Sequence, residues 1–343
     1  MIMKISVICP SEIAYRRFMP AVINSDYFEY AGVGYHSIEE IESNVKINCA
    51  SDKIKTSQEK ALKFKEDFGG AVYNSYNDVI NDKTVDSIYI PLPPSFHYRY
   101  AKKSLLSNKH VMLEKPATLS YVEMLELVDC AKERCLALHE NYMFKYHSQL
   151  ATIVDYINSG VIGDVRLYRM SFGFPFRGND DFRYNKALGG GALIDAGGYT
   201  IKLASLLLGN TTAVDSAVSN FKDGLDVDLY GQGVLKNSNN EVAQISFGMD
   251  NDYKCELEIW GSKGTLYTNR IFTAPVGFKP IVNIIKNGEK EEKILEDDNS
   301  FMNSIRYFKQ CIDDENIRKE NYDELLFQAK LFDDFKNKAG LIW

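Results

Sequence analysis

Hydrophobic positions change their rhythm half-way along the chain. In the first half, short apolar runs alternate with helical spacings. Met3–Ile8 is an apolar-rich run stopped by Pro10 and reads as a buried strand. Ile13–Ile23 follows at helical spacing, then a second strand over Phe28–Gly34. Gln58–Phe68 is an amphipathic helix ended by Gly69-Gly70. A strand over Val85–Ile90, a helix over Phe96–Leu106 and a strand over His110–Leu113 come next. Ser120-x-x-Glu123 is a capping box opening a helix to Arg134, and Leu136–His139 closes the series. This alternation predicts a parallel, doubly wound sheet.

The second half reads differently. Helix Gln149–Asn158 ends at Gly160, and strands then follow one another: Val165–Phe174, Ala213–Phe221, Val227–Leu235, Glu241–Gly248, Lys254–Trp260, Thr265–Thr268, Ile281–Lys286 and Glu291–Leu295. A helix over Ala192–Leu208 interrupts after the first of them, and helices over Phe301–Ile312 and Tyr322–Phe335 close the chain. Hairpin signals at Asn237 to Asn240 and at Asn287-Gly288 predict a large, mostly antiparallel sheet. The fold class is therefore α/β over residues 1–140, followed by an α+β domain over 141–343. Ser37–Ser57 is polar, lacks periodicity and reads as an insertion.

Composition narrows the classes. The 343 residues are 25% charged and 45% hydrophobic, which excludes fibrous and long disordered chains. Lys+Arg 40 against Asp+Glu 47 gives −7, a poor balance for nucleic acid. The apolar stretch from Ile5 to Pro10 is too short for a signal peptide. No unbroken apolar run reaches the roughly 18 residues of a transmembrane span. The cysteines (Cys9, Cys49, Cys130, Cys135, Cys255 and Cys311) form no C-x-x-C pair, so no metal site is expected. Reduced thiols in a cytoplasmic protein are the plain expectation.

Three segments carry chemistry. The first is the turn Cys9-Pro10-Ser11-Glu12-Ile13-Ala14 between strand and helix, where dinucleotide phosphates bind. Its glycines are replaced, so an ordinary loop with Ser11 as helix cap stands beside the phosphate reading. The second is Glu114-Lys115-Pro116 directly after a strand, where the ammonium reaches a ligand or else lies on a solvated surface. In the third, Gly189-Gly190-Gly191 precedes Asp195 and Tyr199, which share one helix face. A cation near a tyrosine favours the phenolate, so Lys115 and Tyr199 together would make a proton relay. Asp195 would accept a substrate hydroxyl or simply complement the helix dipole.

The order of these segments resembles the glucose-fructose oxidoreductase / inositol dehydrogenase family of NAD(P)-dependent enzymes. Pro93-Pro94-Ser95-Phe96-His97, Lys109-His110-Val111-Met112-Leu113-Glu114-Lys115-Pro116 and the Gly189–Gly197 segment carry the likeness. The turn Trp260-Gly261-Ser262-Lys263-Gly264-Thr265-Leu266 completes it. The family implies a Rossmann domain, then an open-faced α+β domain for substrate binding and oligomerisation, and hydride transfer at a sugar carbon. Tyr199 stands where many members carry His, as in the dihydrodiol dehydrogenase and nucleotide-sugar 3-ketoreductase branches. The resemblance implies catalysis by Lys115, Tyr199 and Asp195. It places the cofactor on Pro10, Ser11, Glu12, Ile13, Arg16, His36, Ser37, Pro91, Leu92, Pro93, His97, Glu114, Lys115 and Asn141. It places substrate on Lys115, Asn141, His147, Arg177, Tyr184, Asp195 and Tyr199.

The second strand meets no carboxylate before Glu39, which favours NADP over NAD unless Glu39 or Glu40 folds back onto the ribose. The expected activity is reduction of a keto group on a nucleotide-linked sugar. The alternatives are a dehydrogenase of a free aldose, polyol or dihydrodiol, and a catalytically silent NADP(H)-binding regulator. No nucleic-acid or membrane partner is expected. Val234, Ile245, Leu257 and Ile259 suggest that both sheet faces are covered, giving a homodimer or homotetramer through the sheet.

Overall fold

A computed structural model describes residues 2–42, 50–178 and 180–341. The chain divides into two compact units. The first takes residues up to Thr118, then Val122–Asn141 and Phe301–Leu325. The second takes Leu119–Tyr121, Tyr142–Ser300 and the residues from Leu326 onward. The expected single cut between 140 and 141 differs from this at the closing helices, because residues 301–325 pack into the first unit.

The first unit is built on a 6-stranded sheet of β1 (Met3–Ile8), β2 (Phe28–Gly34), β3 (Ala71–Tyr73), β4 (Ser87–Ile90), β5 (His110–Leu113) and β6 (Leu138–Glu140). All neighbours are parallel, in the order β3-β2-β1-β4-β5-β6. That is the Rossmann order, with its switch point between β1 and β4. β4 is buried along its whole length, as a strand covered on both faces must be. Helix Ser300–Asp313, from the far end of the chain, places Phe308 against Phe28 with ring centroids 5.7 Å apart. Beyond it, the Asn321 amide donates to the Leu138 carbonyl at 2.6 Å, and the Tyr322 hydroxyl donates to Leu136.

Two expectations change here. The helix before β3 begins at Ala50 rather than Gln58, and Ile38–Glu42 is helical. Residues 43–49 of the expected insertion, Cys49 among them, lie outside the described residues. The other cysteines are unpaired. The short β3 and helix Tyr76–Asn81 were not expected, since three residues are too few to show a period.

The second unit carries an 8-stranded sheet of β7 (Val165–Gly173), β8 (Ala213–Phe221), β9 (Asp228–Lys236), β10 (Val242–Gly248), β11 (Lys254–Gly261), β12 (Thr265–Asn269), β13 (Ile281–Lys286) and β14 (Glu289–Ile294). Its order is β14-β13-β12-β11-β7-β10-β9-β8. The pairing is antiparallel except between β7 and β10, which run parallel. Inward residues such as Phe172, Phe247 and Leu257 share one core with helix Gly198–Leu208.

The ground expected for a second covered face needs correction. Ile245, Leu257 and Ile259 are buried on the inward side, and of the four residues only Val234 alternates outward. The outward face is mixed: Arg169 pairs with Glu258 at 3.1 Å, beside Trp260, which is 41% exposed. The 23-residue segment Lys186–Leu208 is long and apolar enough for a membrane span, but its apolar window is 89% buried inside the protein.

Candidate active site

In the first unit, β1 runs into the expected phosphate turn. Cys9 holds φ at 92°, the left-handed region that ordinarily calls for glycine. Its N–H donates to the Gly34 carbonyl at 3.0 Å, and Ser11 N–H donates to the Cys9 carbonyl at 2.8 Å. The bend of a glycine-rich loop is thus made by a cysteine. The silent-regulator reading rested on this altered turn and loses its support. Ser11 also caps the helix, since its Oγ accepts from Ala14 N–H at 3.2 Å. The helix is π-wound over Ala14–Phe18, a distortion frequent at functional sites. Pro10 is buried, while Glu12 and Arg16 are exposed. Among the described residues neither Arg16 nor Arg17 has a carboxylate partner.

The end of β2 decides what could meet the adenosine ribose. Glu40 is buried, but its carboxylate accepts backbone N–H bonds from Ser37 at 2.9 Å, Tyr76 at 3.1 Å and Asn77 at 3.1 Å. It ties the loop after β2 to helix Tyr76–Asn81. Glu39 points into solvent. Neither carboxylate takes the place of the acid that NAD-preferring sheets carry at this strand end. His36 lies half-buried with Nδ1 3.4 Å from the Tyr76 hydroxyl, and burial lowers its pKa.

The turn after β5 is clamped from several sides. Glu114 accepts from the Tyr89 hydroxyl at 2.6 Å and the Asn141 amide at 2.7 Å. Burial raises its pKa, against these donors and the neighbouring Lys115. The Lys115-Pro116 peptide is cis. His97 is fully buried, with Nδ1 2.7 Å from the Pro116 carbonyl and Nε2 2.7 Å from the Leu92 carbonyl. Two acceptors would suit the imidazolium, yet burial holds the pKa down to about 4, so the ring is neutral and donates to one of them. His97 therefore fastens the loop Pro91–Pro93 to the lysine turn instead of facing outward. Asn141 is likewise occupied internally, with its Oδ1 accepting from the Ser304 hydroxyl at 2.8 Å.

In the second unit, the three glycines serve the fold. Gly189 and Gly191 take φ of 76° and 131°. A Cβ on Gly190 would strike the Arg183 carbonyl, and Gly191 N–H donates to that same oxygen at 2.9 Å. They let the 182–188 turn lie flat on the helix start, which explains them without a ligand. Asp195 lies in a second π-wound turn, Leu193–Gly197. It accepts from Arg183 Nε at 2.7 Å, and Arg183 also grips Asp181 at 3.1 Å. Tyr199 sits among the rings of Tyr142, Phe172 and Phe272, with its hydroxyl 3.9 Å from the Met143 sulfur, a weak acceptor. His147 caps helix Ser148–Asn158 through Nδ1, and burial lowers its pKa. The Tyr184 hydroxyl donates to the Met249 carbonyl at 2.8 Å and accepts Arg177 N–H at 3.1 Å. Arg177 itself is exposed, with its guanidinium 4.7 Å from the Phe174 ring centre.

Sequence reasoning missed Asp228. Its Oδ2 accepts Leu193 N–H at 2.9 Å at the start of the helix bearing Asp195, and its other oxygen has no hydrogen-bond partner among the described residues. Burial pushes its pKa from 3.8 up to about 6. Between those values the folded protein holds a proton that the unfolded chain has lost, so stability falls as pH rises through the window. Asp228→Asn keeps the oxygen that accepts from Leu193. Its urea stability should exceed that of the wild type by about 2–3 kcal/mol at pH 7.5, and the difference should vanish near pH 4. Equal differences at both pH values would contradict the shift.

Residues 30–142 match the family model described as oxidoreductase family, NAD-binding Rossmann fold, and residues 150–267 match the GFO/IDH/MocA C-terminal domain. A dTDP-3,4-didehydro-2,6-dideoxy-alpha-D-glucose 3-reductase from Streptomyces violaceoruber is 33% identical, over 99% of this chain and 96% of its own. The chain belongs to the GFO/IDH/MocA oxidoreductase family. A solved 3-ketoreductase from Actinomadura kijaniata, in complex with NADP and TDP-benzene, superimposes with a TM-score of 0.89 at 32% identity over 98% of each chain. A trans-1,2-dihydrobenzene-1,2-diol dehydrogenase from Xenopus laevis is 24% identical over 64% of each. The family resemblance and the fold expected from the motifs both hold, and the protein is an oxidoreductase with a Rossmann unit for a nicotinamide cofactor.

Proposed function

We propose that the protein reduces a keto group of a nucleotide-linked sugar with NADPH. The observation that carries this is the whole-length likeness to 3-ketoreductases of dTDP-sugars, in sequence and in structure. The bound cofactor supplies hydride to the carbonyl carbon, and this chain must supply a proton to the oxygen. We assign that to Lys115 and Tyr199. The Actinomadura kijaniata relative has been solved as a tyrosine-to-phenylalanine variant and as two lysine variants. In that chain the altered lysine and tyrosine are separated by as many residues as separate Lys115 from Tyr199.

The remaining roles are assigned on the same reading. The first unit takes the dinucleotide, with the turn of Pro10, Ser11, Glu12 and Ile13 at its phosphates. Arg16, His36 and Ser37 are left to meet a 2′-phosphate, because Glu40 is held by three backbone N–H groups. The second unit takes the sugar, with Asp195 as a hydroxyl acceptor held by Arg183. Arg177 suits a diphosphate, as a guanidinium with no carboxylate partner among the described residues. Fluorescence titration should show NADPH binding at least about tenfold more tightly than NADH, and NADPH should be oxidised by a dTDP-linked keto sugar. Tighter NADH binding would reverse the cofactor assignment. Turnover of a free aldose alone would reverse the substrate.

Exposed Trp260 and Ile285 and half-exposed Val234 on the outward sheet face support pairing with a second copy, as dimer or tetramer. A monomer by light scattering at micromolar concentration would remove that reading. The unpaired described cysteines fit the reducing cytoplasm, which cell fractionation checks.

A further inference from the structure

We infer that Ser304 and His139 are positioning residues for Lys115, acting through a buried chain of hydrogen bonds that fixes the carboxylate of Glu114. The inference rests on the proposed role of Lys115 in proton delivery. His139 Nε2 lies 2.9 Å from Ser304 Oγ, Ser304 Oγ lies 2.8 Å from Asn141 Oδ1, and Asn141 Nδ2 lies 2.7 Å from Glu114 Oε1. His139, Asn141 and Ser304 have no exposed surface. Glu114 also takes the backbone N–H of Lys115.

The chain has one internally consistent direction. An ionised carboxylate only accepts, so the Asn141 amide must present its nitrogen to Glu114 and its oxygen to Ser304. The serine hydroxyl then spends its single proton on Asn141. It can therefore only accept from His139, which fixes the Nε2–H form of that ring. Each donor points toward Glu114, and the Tyr89 hydroxyl adds another on the same oxygen at 2.6 Å. The arrangement favours negative charge on a carboxyl that burial alone would protonate. The charged carboxylate in turn pins the backbone at Lys115. The titratable groups facing Glu114 are Tyr89 from β4 and Lys115 from its own turn. On the other side of that turn, Glu140 accepts Ala117 N–H at 2.8 Å, and His97 faces Lys115.

Loss of Ser304 releases the Asn141 amide and weakens one donor to a charged group. Glu114 then takes a proton at a higher pH than before. In Ser304→Ala, the acid limb of kcat/KM for a dTDP-linked keto sugar should move to higher pH by about one unit relative to the wild type. Tyr89→Phe removes the other donor, leaves Ser304 in place and should move the acid limb the same way. This second variant carries the test should Ser304→Ala not fold. A folded variant with a lower melting temperature and an unmoved pH profile would overturn the inference, since the serine would then be structural alone. An inactive wild type would instead count against the proposed substrate. NADPH affinity at pH 6 and pH 8 would then decide, and an unchanged ratio between variant and wild type would overturn the inference.

Discussion

Lys115→Ala and Tyr199→Phe should each lower kcat by roughly two to four orders of magnitude, the range for a positioned proton donor. On the proposed assignment the two serve the same proton transfer, so the double variant should be little worse than the poorer single one. Tyr199→Phe is a clean probe. The ring keeps its contacts with Tyr142, Phe144, Phe172 and Phe272, and only the hydroxyl beside the Met143 sulfur is lost. Stability should fall by no more than one hydrogen bond, about 1 kcal/mol, while turnover falls far more. Full activity in Tyr199→Phe would remove tyrosine from the mechanism and leave Lys115 to deliver the proton unaided. Additive losses in the double variant would separate the two residues into independent roles.

The second large effect belongs to Arg183. Its side chain is 19% exposed and that of Asp195 is 11% exposed, so their 2.7 Å contact is shielded from water and salt. Arg183→Ala removes the shielded cation that faces Asp195 and Asp181, a loss of about 3 kcal/mol. Adding Asp195→Asn removes the negative charge that faced Arg183 and should recover part of that stability. Chemical denaturation of the wild type, the single and the double variant checks both statements. A single variant within about 0.5 kcal/mol of the wild type would show that solvent or another donor already offsets the lost guanidinium. Activity need not follow stability here, since a folded double variant still lacks the carboxylate proposed to orient the sugar.

Much of the fold was legible because the informative signals were local. Phe28–Gly34 and His110–Leu113 are strands with the bounds read from their apolar runs. The helix after Ser120 starts at Tyr121, as its capping box implied. What escaped was non-local. The parallel pairing of β7 and β10 leaves the same alternation in each strand as antiparallel pairing would. Glu40 looked like an available acid until Tyr76 and Asn77, far along the chain, came to hold it. The glycines at 189–191 suggested a ligand because nothing in the string shows the Arg183 carbonyl packed against them. Of the residues proposed for the site, Lys115, Asp195 and Tyr199 could be named from the string. Their supports, Ser304 and Asp228, could not, since neither sits in a recognisable pattern.

The shared ownership of the first unit bears on how the protein is made. His139 meets Ser304 across 165 residues, and Tyr322 meets Leu136 across 186. While a ribosome is still translating the second sheet, the six parallel strands have emerged without Phe308, Asn321 and Tyr322, and so without part of their apolar covering. The nascent chain must keep that surface from other partners until the closing helices appear. A premature stop after β14 would spare every motif named in the sequence, yet it would leave the amino-terminal half unable to finish folding.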